Sequence, residues 1–447
     1  GIKMNLKSNK AITLVALIIT IIILLILAGV SLSMILGENG LINKAQSSVN
    51  AYQQATLNEQ NLLQSIEDYM GKYGLPENTP NTPVGTHVKP PAKWLGTIVD
   101  AVADGKGNTF PVPKSFYYVG GNLDNGVIIS DDPADAYDGT TDKTTWEYTT
   151  SLVGNQFVWI PCTPAEYIKT SWGMVEGGYD TESGAGAEMM QVAKYGGFYV
   201  GRYEAGLADT IAEYTETQIS NGSNSPGYNV EGIPKSKAGE LPWIFISQTN
   251  SKKSAENMYE KSDYITSGLI TGTQWDVMLN RFIGTTNQNG LTFTENDIKN
   301  SSKWGNYYEN NLTYTGRSAT LIIGNTAYIT TWGAKQTNAT TKANTRTEFT
   351  TGASKETEAY HTYDVAGNVW EYTEEIGQNT NSRARRGGSC YAVSSGYPAC
   401  YRDGRYSNPF LEQRFSCSIV YKITFESTQV WLSSRKRRFS DLNLAMH

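Results

Sequence analysis

From Ala11 to Leu36 the chain carries no charged side chain, with Lys3, Lys7 and Lys10 before the run and Glu38 after it. Helix rises 1.5 Å per residue, so about 20 apolar residues already cross the hydrocarbon core of a bilayer. The run is rich in β-branched Ile, Val and Thr, but a single segment in lipid must satisfy its own backbone, and only a helix does so. The apolar region of a cleaved secretory signal is normally about 7–15 residues long, shorter than this. The lysine flank predicts a cytoplasmic N-terminus, with everything after residue 37 outside. Next, residues 37–74 place Leu62, Ile66, Tyr69, Met70 and Tyr73 at the i, i+3, i+4 spacing of an amphipathic helix, and Gly37 and Gly40 permit a break between the two helical parts.

Residues 75–94 contain Pro76, Pro80, Pro83, Pro90 and Pro91, five of the fifteen prolines in the chain. Proline at that density favours an extended, semi-rigid spacer, so a domain boundary is expected there. The remainder, from residue 95, is large enough to bury a sizeable core. It shows short runs of β character ("SFYYVGG", "NGVIIS", "NQFVWIP", "GGFYVGRYE", "ATLIIG") between Gly-, Asn-, Ser- and Thr-rich loops. One helix is expected in "TGTQWDVMLNRFIG", with Trp275, Met278, Leu279 and Phe282 on one face. The reading is an α+β fold with much irregular structure.

A net charge of −6 argues against nucleic acid as a partner, since phosphate recognition needs clustered Lys and Arg. Only the tail 426–447, with "SSRKRRF", is strongly basic. Four cysteines and three histidines, none at metal-ligand spacing, exclude a disulfide scaffold, a His-built metal site and a His-dependent triad. No GxSxG, HExxH or GxxxxGK segment occurs.

Two resemblances sharpen these readings. "KAITLVALIITIIILLILAGV", continued by an amphipathic helix, resembles the class III signal of type IV pilins and pseudopilins. The resemblance implies cleavage by a prepilin peptidase between Ala11 and Ile12, with Ala11 where the family usually has Gly. Ala16 stands fifth after that bond, where the family usually has a Glu that neutralises a neighbouring subunit's amine. Its absence favours a minor, tip-like subunit or a plain membrane anchor over a repeating shaft subunit.

Further on, "NQFVWIP", "GGFYVGRYEAG", "PWIFISQ", "ITGTQWDVMLNRF", "YDVAGNVWEYT" and "RARRGGSC" occur in an order that resembles the formylglycine-generating enzyme/sulfatase-modifying domain family, whose fold is a C-type-lectin variant. The resemblance spans about 95–425. Individually, Trp159, Phe198, Tyr199, Trp275 and Trp370 read as core residues, and Arg202 with Glu204 as an internal ion pair. The resemblance also brings Asn368 and Glu371 near a family calcium site, although buried hydrogen bonding explains both residues as well.

Formylglycine-generating enzymes work through two cysteines a few residues apart after "RRGGS". Here Cys390 follows Ser389 directly and Cys400 is ten residues further on, so the close pair that thiolate–copper chemistry requires is absent. The segment 389–413, "SCYAVSSGYPACYRDGRYSNPFLEQ", instead has the composition of a paratope, in which tyrosines give rigid amphipathic contact and small polar residues adapt. A Tyr/Ser/Asn-rich C-terminal segment on this fold resembles the variable region of proteins diversified by retroelements. The candidate ligand-binding residues are Tyr391, Val393, Ser394, Ser395, Tyr397, Tyr401, Asp403, Arg405, Tyr406 and Asn408. The resulting expectation is a bacterial surface protein with a single-pass or pilus-associated helix and an extracellular head that binds a protein or glycan. It needs no cofactor beyond an optional Ca²⁺, and its further partners are the membrane, other pilins and the peptidase. A membrane-tethered oxidase and a structural minor pilin are the competing readings.

Overall fold

The structure, a computed structural model, describes residues 17–25, 56, 74–95, 97, 99–170, 172, 185–213, 230–262, 264–323, 327–376, 382–406, 417–419 and 421–425. The chain divides into two units, Gly1–Lys72 and Tyr73–His447. In the first, residues 17–25 are helical and expose their Leu and Ile side chains. Among the described residues no helix is long and apolar enough to cross a membrane. Ala11, Ile12 and the tail 426–447 lie outside the described residues.

The second unit is α+β. Its elements run β1 (His87–Val88), β2 (Val99–Ala103), β3 (Thr109–Pro113), β4 (Tyr117–Gly120), β5 (Val127–Ser130), β6 (Gln156–Pro161), α1 (Ala185–Tyr195), β7 (Gly197–Gly201), α2 (Gln248–Asn257), β8 (Ile265–Leu269), α3 (Gly272–Phe282) and α4 (Glu295–Lys299). Then follow β9 (Thr313–Gly316), β10 (Ser318–Ile323), β11 (Ala327–Ile329), β12 (Gln336–Thr340), β13 (Thr347–Phe349), β14 (Trp370–Ile376), β15 (Ser382–Arg386), β16 (Asp403–Tyr406), β17 (Cys417–Ile419) and β18 (Tyr421–Phe425).

The largest sheet is antiparallel and has the order β4-β5-β6-β7-β18-β8. Its central strands are covered on both faces, which explains why they read as unbroken apolar runs. Successive side chains of a strand point to opposite faces. Accordingly Phe157, Trp159 and Tyr199 enter one core together with Val127 and Ile129, while Val158, Ile160, Phe198 and Val200 enter a second. Helix α3 closes the second core with Trp275, Met278, Leu279 and Phe282. A capping box starts it: the Thr271 hydroxyl accepts from the Gln274 amide at 3.2 Å, and the Gln274 side chain accepts from the Thr271 amide at 3.1 Å. Trp159, Phe198, Tyr199, Trp275 and Trp370 are all buried, as expected of core residues.

Two expectations are corrected. The proline-rich stretch 75–94 is part of the second unit rather than a free spacer. β1 pairs with β2 through His87–Val102 and Val88–Ala101, Val88 and Trp94 are buried, and the Trp94 indole donates to the Lys194 carbonyl at 2.8 Å. Burial of these two apolar side chains and a strand pairing outweigh the extended preference of the prolines between them. Nor do Arg202 and Glu204 form an ion pair. Arg202 donates to Gln156 Oε1 (2.8 Å) and to the carbonyls of Thr144 and His361, with Tyr203 and Tyr363 rings beside it. Glu204 instead accepts from the Asn368 amide.

Candidate functional site

The sheet β16-β15-β14-β17 presents the segment between β15 and β16, residues 387–402. Strand alternation sends the two arginines that end β15 to opposite sides. Arg385 lies over the Trp370 ring, 4.6 Å from its centroid, and pairs with Asp403 across the β15–β16 ladder. Arg386 reaches into the interior, where it meets Asp276 of α3 and Glu375 of β14, the latter at 3.1 Å. At the far end of the segment Arg402 meets the same two carboxylates, with its Nε 2.8 Å from Glu375 Oε1. Lys169 adds a further cation to Glu375 at 2.9 Å. Burial alone would raise the Glu375 carboxyl, but Arg386, Arg402 and Lys169 hold it below the ordinary carboxylate range. Both ends of the loop are thus fastened to one buried charge network.

Between these ends the chain folds back on itself. Gly387 and Gly388 adopt φ of 88° and 79°, and a Cβ on Gly388 would come within 2.3 Å of the Tyr397 carbonyl oxygen. That close approach requires glycine. The Cys390 amide donates to the Asn368 carbonyl (2.9 Å), and the Ala399 carbonyl accepts from the Trp275 indole (3.0 Å). These contacts leave a short outward crest, closed by a turn in which the Gly396 and Tyr397 amides donate to the Val393 carbonyl at 3.0 and 2.9 Å. Val393, Ser395 and Tyr397 are exposed on it, Tyr397 to 40%.

Four of the expected binding residues gather around Trp370. Tyr397 stands edge-on to it at 5.7 Å, Tyr401 lies 6.3 Å away, and the two tyrosines meet at 5.0 Å. The Trp370 indole donates to the Tyr391 hydroxyl at 2.9 Å, and Asp403 completes the group through Arg385. Tyr391, Tyr401 and Asp403 are half-buried. Ser394 does not join them. It is buried, its amide donating to Glu309 at 2.7 Å and its hydroxyl to Glu309 and Asn300. Arg405 and Tyr406 are placed by register opposite Arg383 and Ser382, their side chains lying outside the described residues, as does Asn408.

Asn368 and Glu371, which the resemblance brings near a calcium site, are both buried. The Asn368 side-chain oxygen accepts from the Asn306 side chain (2.9 Å) and the Phe349 amide (3.1 Å), and its nitrogen donates to Glu204 and the Phe349 carbonyl, which uses its full capacity. Burial, with Asp364 nearby, raises the Glu371 carboxyl well above its ordinary range and favours its protonated form. Among the described residues no group of three His, Cys, Asp or Glu side chains has metal-holding geometry. The buried thiols are equally muted: burial raises Cys390 well above the ordinary thiol range and Cys400 to about 11. Asp276, Glu375 and the paired roles of Arg386 and Arg402 went unread in the sequence. The available signal was the double arginine of "RARRGG", since a guanidinium that enters a core must find charged or polar partners there.

The chain matches no family model, no curated protein and no solved structure.

Proposed function

We propose that this chain is a surface-displayed ligand-binding protein whose contact surface is the crest of the 387–402 loop. One observation carries the reading: Arg386 and Arg402 fasten the two ends of the loop to the same buried Asp276–Glu375 pair, while Val393, Ser395 and Tyr397 face outward beside a tyrosine–tryptophan cluster. A surface held at both ends keeps its place when its outward side chains change. Tyrosines supported by a buried indole present contact area at low entropic cost. The ligand is a protein or a glycan at the cell surface, and binding requires no cofactor.

The finer reading is a C-type-lectin-like head of the formylglycine-generating type, carried by a pilin-like helix at a bacterial membrane or pilus tip and diversified by a retroelement. Three things support it: the ordered motifs, the charge-free run Ala11–Leu36 and the Tyr/Ser composition of the loop. Against the oxidase alternative stands the burial of both loop thiols, which raises them above the ordinary thiol range.

The test is a binding screen of the full chain against protein and glycan arrays, repeated with Tyr397→Ala and Val393→Asp. Hits lost in both variants support the reading; hits retained in both overturn it. Sequencing the locus across a clonal population tests diversification, with substitutions expected within 389–413 at positions such as Val393, Ser395 and Tyr397. A uniform segment without a neighbouring reverse transcriptase gene removes that part.

A further inference from the structure

A second site lies elsewhere on the unit, between the β1–β3 sheet and strand β4. It is a cavity of about 310 Å³, at the lower end of the roughly 300–1,000 Å³ of small-ligand sites. Phe116, Tyr117, Tyr118 and Tyr137 line it, with His87 and Asp100 on the small sheet. Register explains the grouping. His87 pairs with Val102 and Asp100 with Val112, so these four residues share one sheet face. The turn at Ser115, with φ of 73°, then brings Phe116–Tyr118 back against that face. Tyr118 and Tyr137 meet edge-on at 5.5 Å, and Gly85 (φ 81°) gives them room, since a Cβ there would touch both rings at 3.0 Å.

We infer that this cavity binds a single neutral pyranose unit of a glycan. A pyranose ring has a face of C–H bonds that suits the negative face of an aromatic ring, and a rim of hydroxyls that needs close polar partners. The cavity supplies both. Tyr117 is 37% exposed at its mouth. On the rim the Asp100 carboxylate, an acceptor only, stands 3.6 Å from the His87 imidazole, and both side chains are open to solvent. Among the described lining residues the one carboxylate, Asp100, is accompanied by one ammonium, Lys114, which rests 4.7 Å from the Tyr264 ring centroid, so the lining carries no excess of fixed charge and suits a neutral ligand. The site shares no residue with the 387–402 loop, so the two can be tested separately.

The experiment is saturation-transfer NMR and calorimetry on the full chain with the methyl β-glycosides of glucose, galactose and mannose. At least one glycoside is expected to receive saturation on one ring face. Tyr117→Ala and Asp100→Asn should each weaken it at least tenfold, and Tyr397→Ala should leave it unchanged. His87→Ala, on an exposed side chain, is the second variant should Tyr117→Ala fail to fold, and a several-fold loss is expected. Absence of transfer to all three glycosides overturns the inference. So does unchanged binding in the Asp100 and His87 variants, or tetramethylammonium occupying the cavity in their place. Loss of sugar binding in Tyr397→Ala would instead assign the sugar to the loop.

Discussion

Tyr397 combines two properties seldom found in one side chain: it is open to solvent, yet its ring is braced by Trp370 and Tyr401. Residues of that kind dominate binding energy while contributing modestly to folding. Tyr397→Ala is expected to cost about 2 kcal/mol of ligand affinity with a shift in unfolding free energy below about 1 kcal/mol. Trp370→Ala, which removes the buried support, should cost about 3–5 kcal/mol of stability. Equal destabilisation by the two substitutions in chemical denaturation would refute that division of roles. A different sensitivity lies at Glu348. Neither of its carboxyl oxygens meets a hydrogen-bond partner among the described residues, and burial raises its pKa from 4.5 to about 8. The folded chain therefore holds a proton that the unfolded chain releases. Stability from this group is intact below pH 4.5 and is lost as pH rises towards 8. Glu348→Gln should make the fall in denaturation midpoint between pH 5 and pH 8.5 shallower, and an unchanged slope would show that the group is not the source. His361 has the opposite sign: burial, then Arg202, lowers it from 6.5 to about 4, so its contribution is lost as pH falls through that window.

Among elements, the loop 387–402 depends on its two arginine anchors more than on its own sequence. Arg402→Ala leaves Asp276 with one of its two cationic partners and Glu375 with two of its three, and a loss of about 3–5 kcal/mol is expected. Arg402→Lys restores charge without the planar fork and should recover only part of it, as thermal unfolding would show. The elements differ in how far the sequence revealed them. Helix α3 was legible because its period and its apolar face agree locally. The runs of β5, β6 and β7 were legible because both faces are buried. The stretch 75–94 was misread because its local signal, proline density, says nothing of the distant surfaces that receive Val88 and Trp94. For the same reason the partners of Arg202 could not be found: Gln156, Thr144 and His361 are remote in sequence and meet it only in the fold. Of the loop, the tyrosines were readable from composition, whereas the inward turn of Ser394 is set by Glu309 on another segment.

Across the whole molecule, the boundary between Lys72 and Tyr73 separates two units, and β1 and Trp94 belong to the second. A chain beginning at residue 73 is expected to unfold at the temperature of the intact head, whereas one beginning at residue 95 should lose several degrees and expose the surface that Val88 and Trp94 cover. Equal melting temperatures for the two would mean that the stretch contributes nothing to the core. Strand β18 has a further consequence. It comes from the far C-terminal side of the loop, yet sits between β7 and β8, and β17 likewise pairs with β14 from beyond the loop. Synthesis proceeds from the N-terminus, so the principal sheet stays open until the loop has been read through in frame. A stop codon or frameshift anywhere in residues 387–402 leaves the edges of β7 and β8 bare, and such chains are destined for aggregation or proteolysis. The topology thus makes closure of the principal sheet depend on reading the loop through in frame, whatever side chains that loop carries.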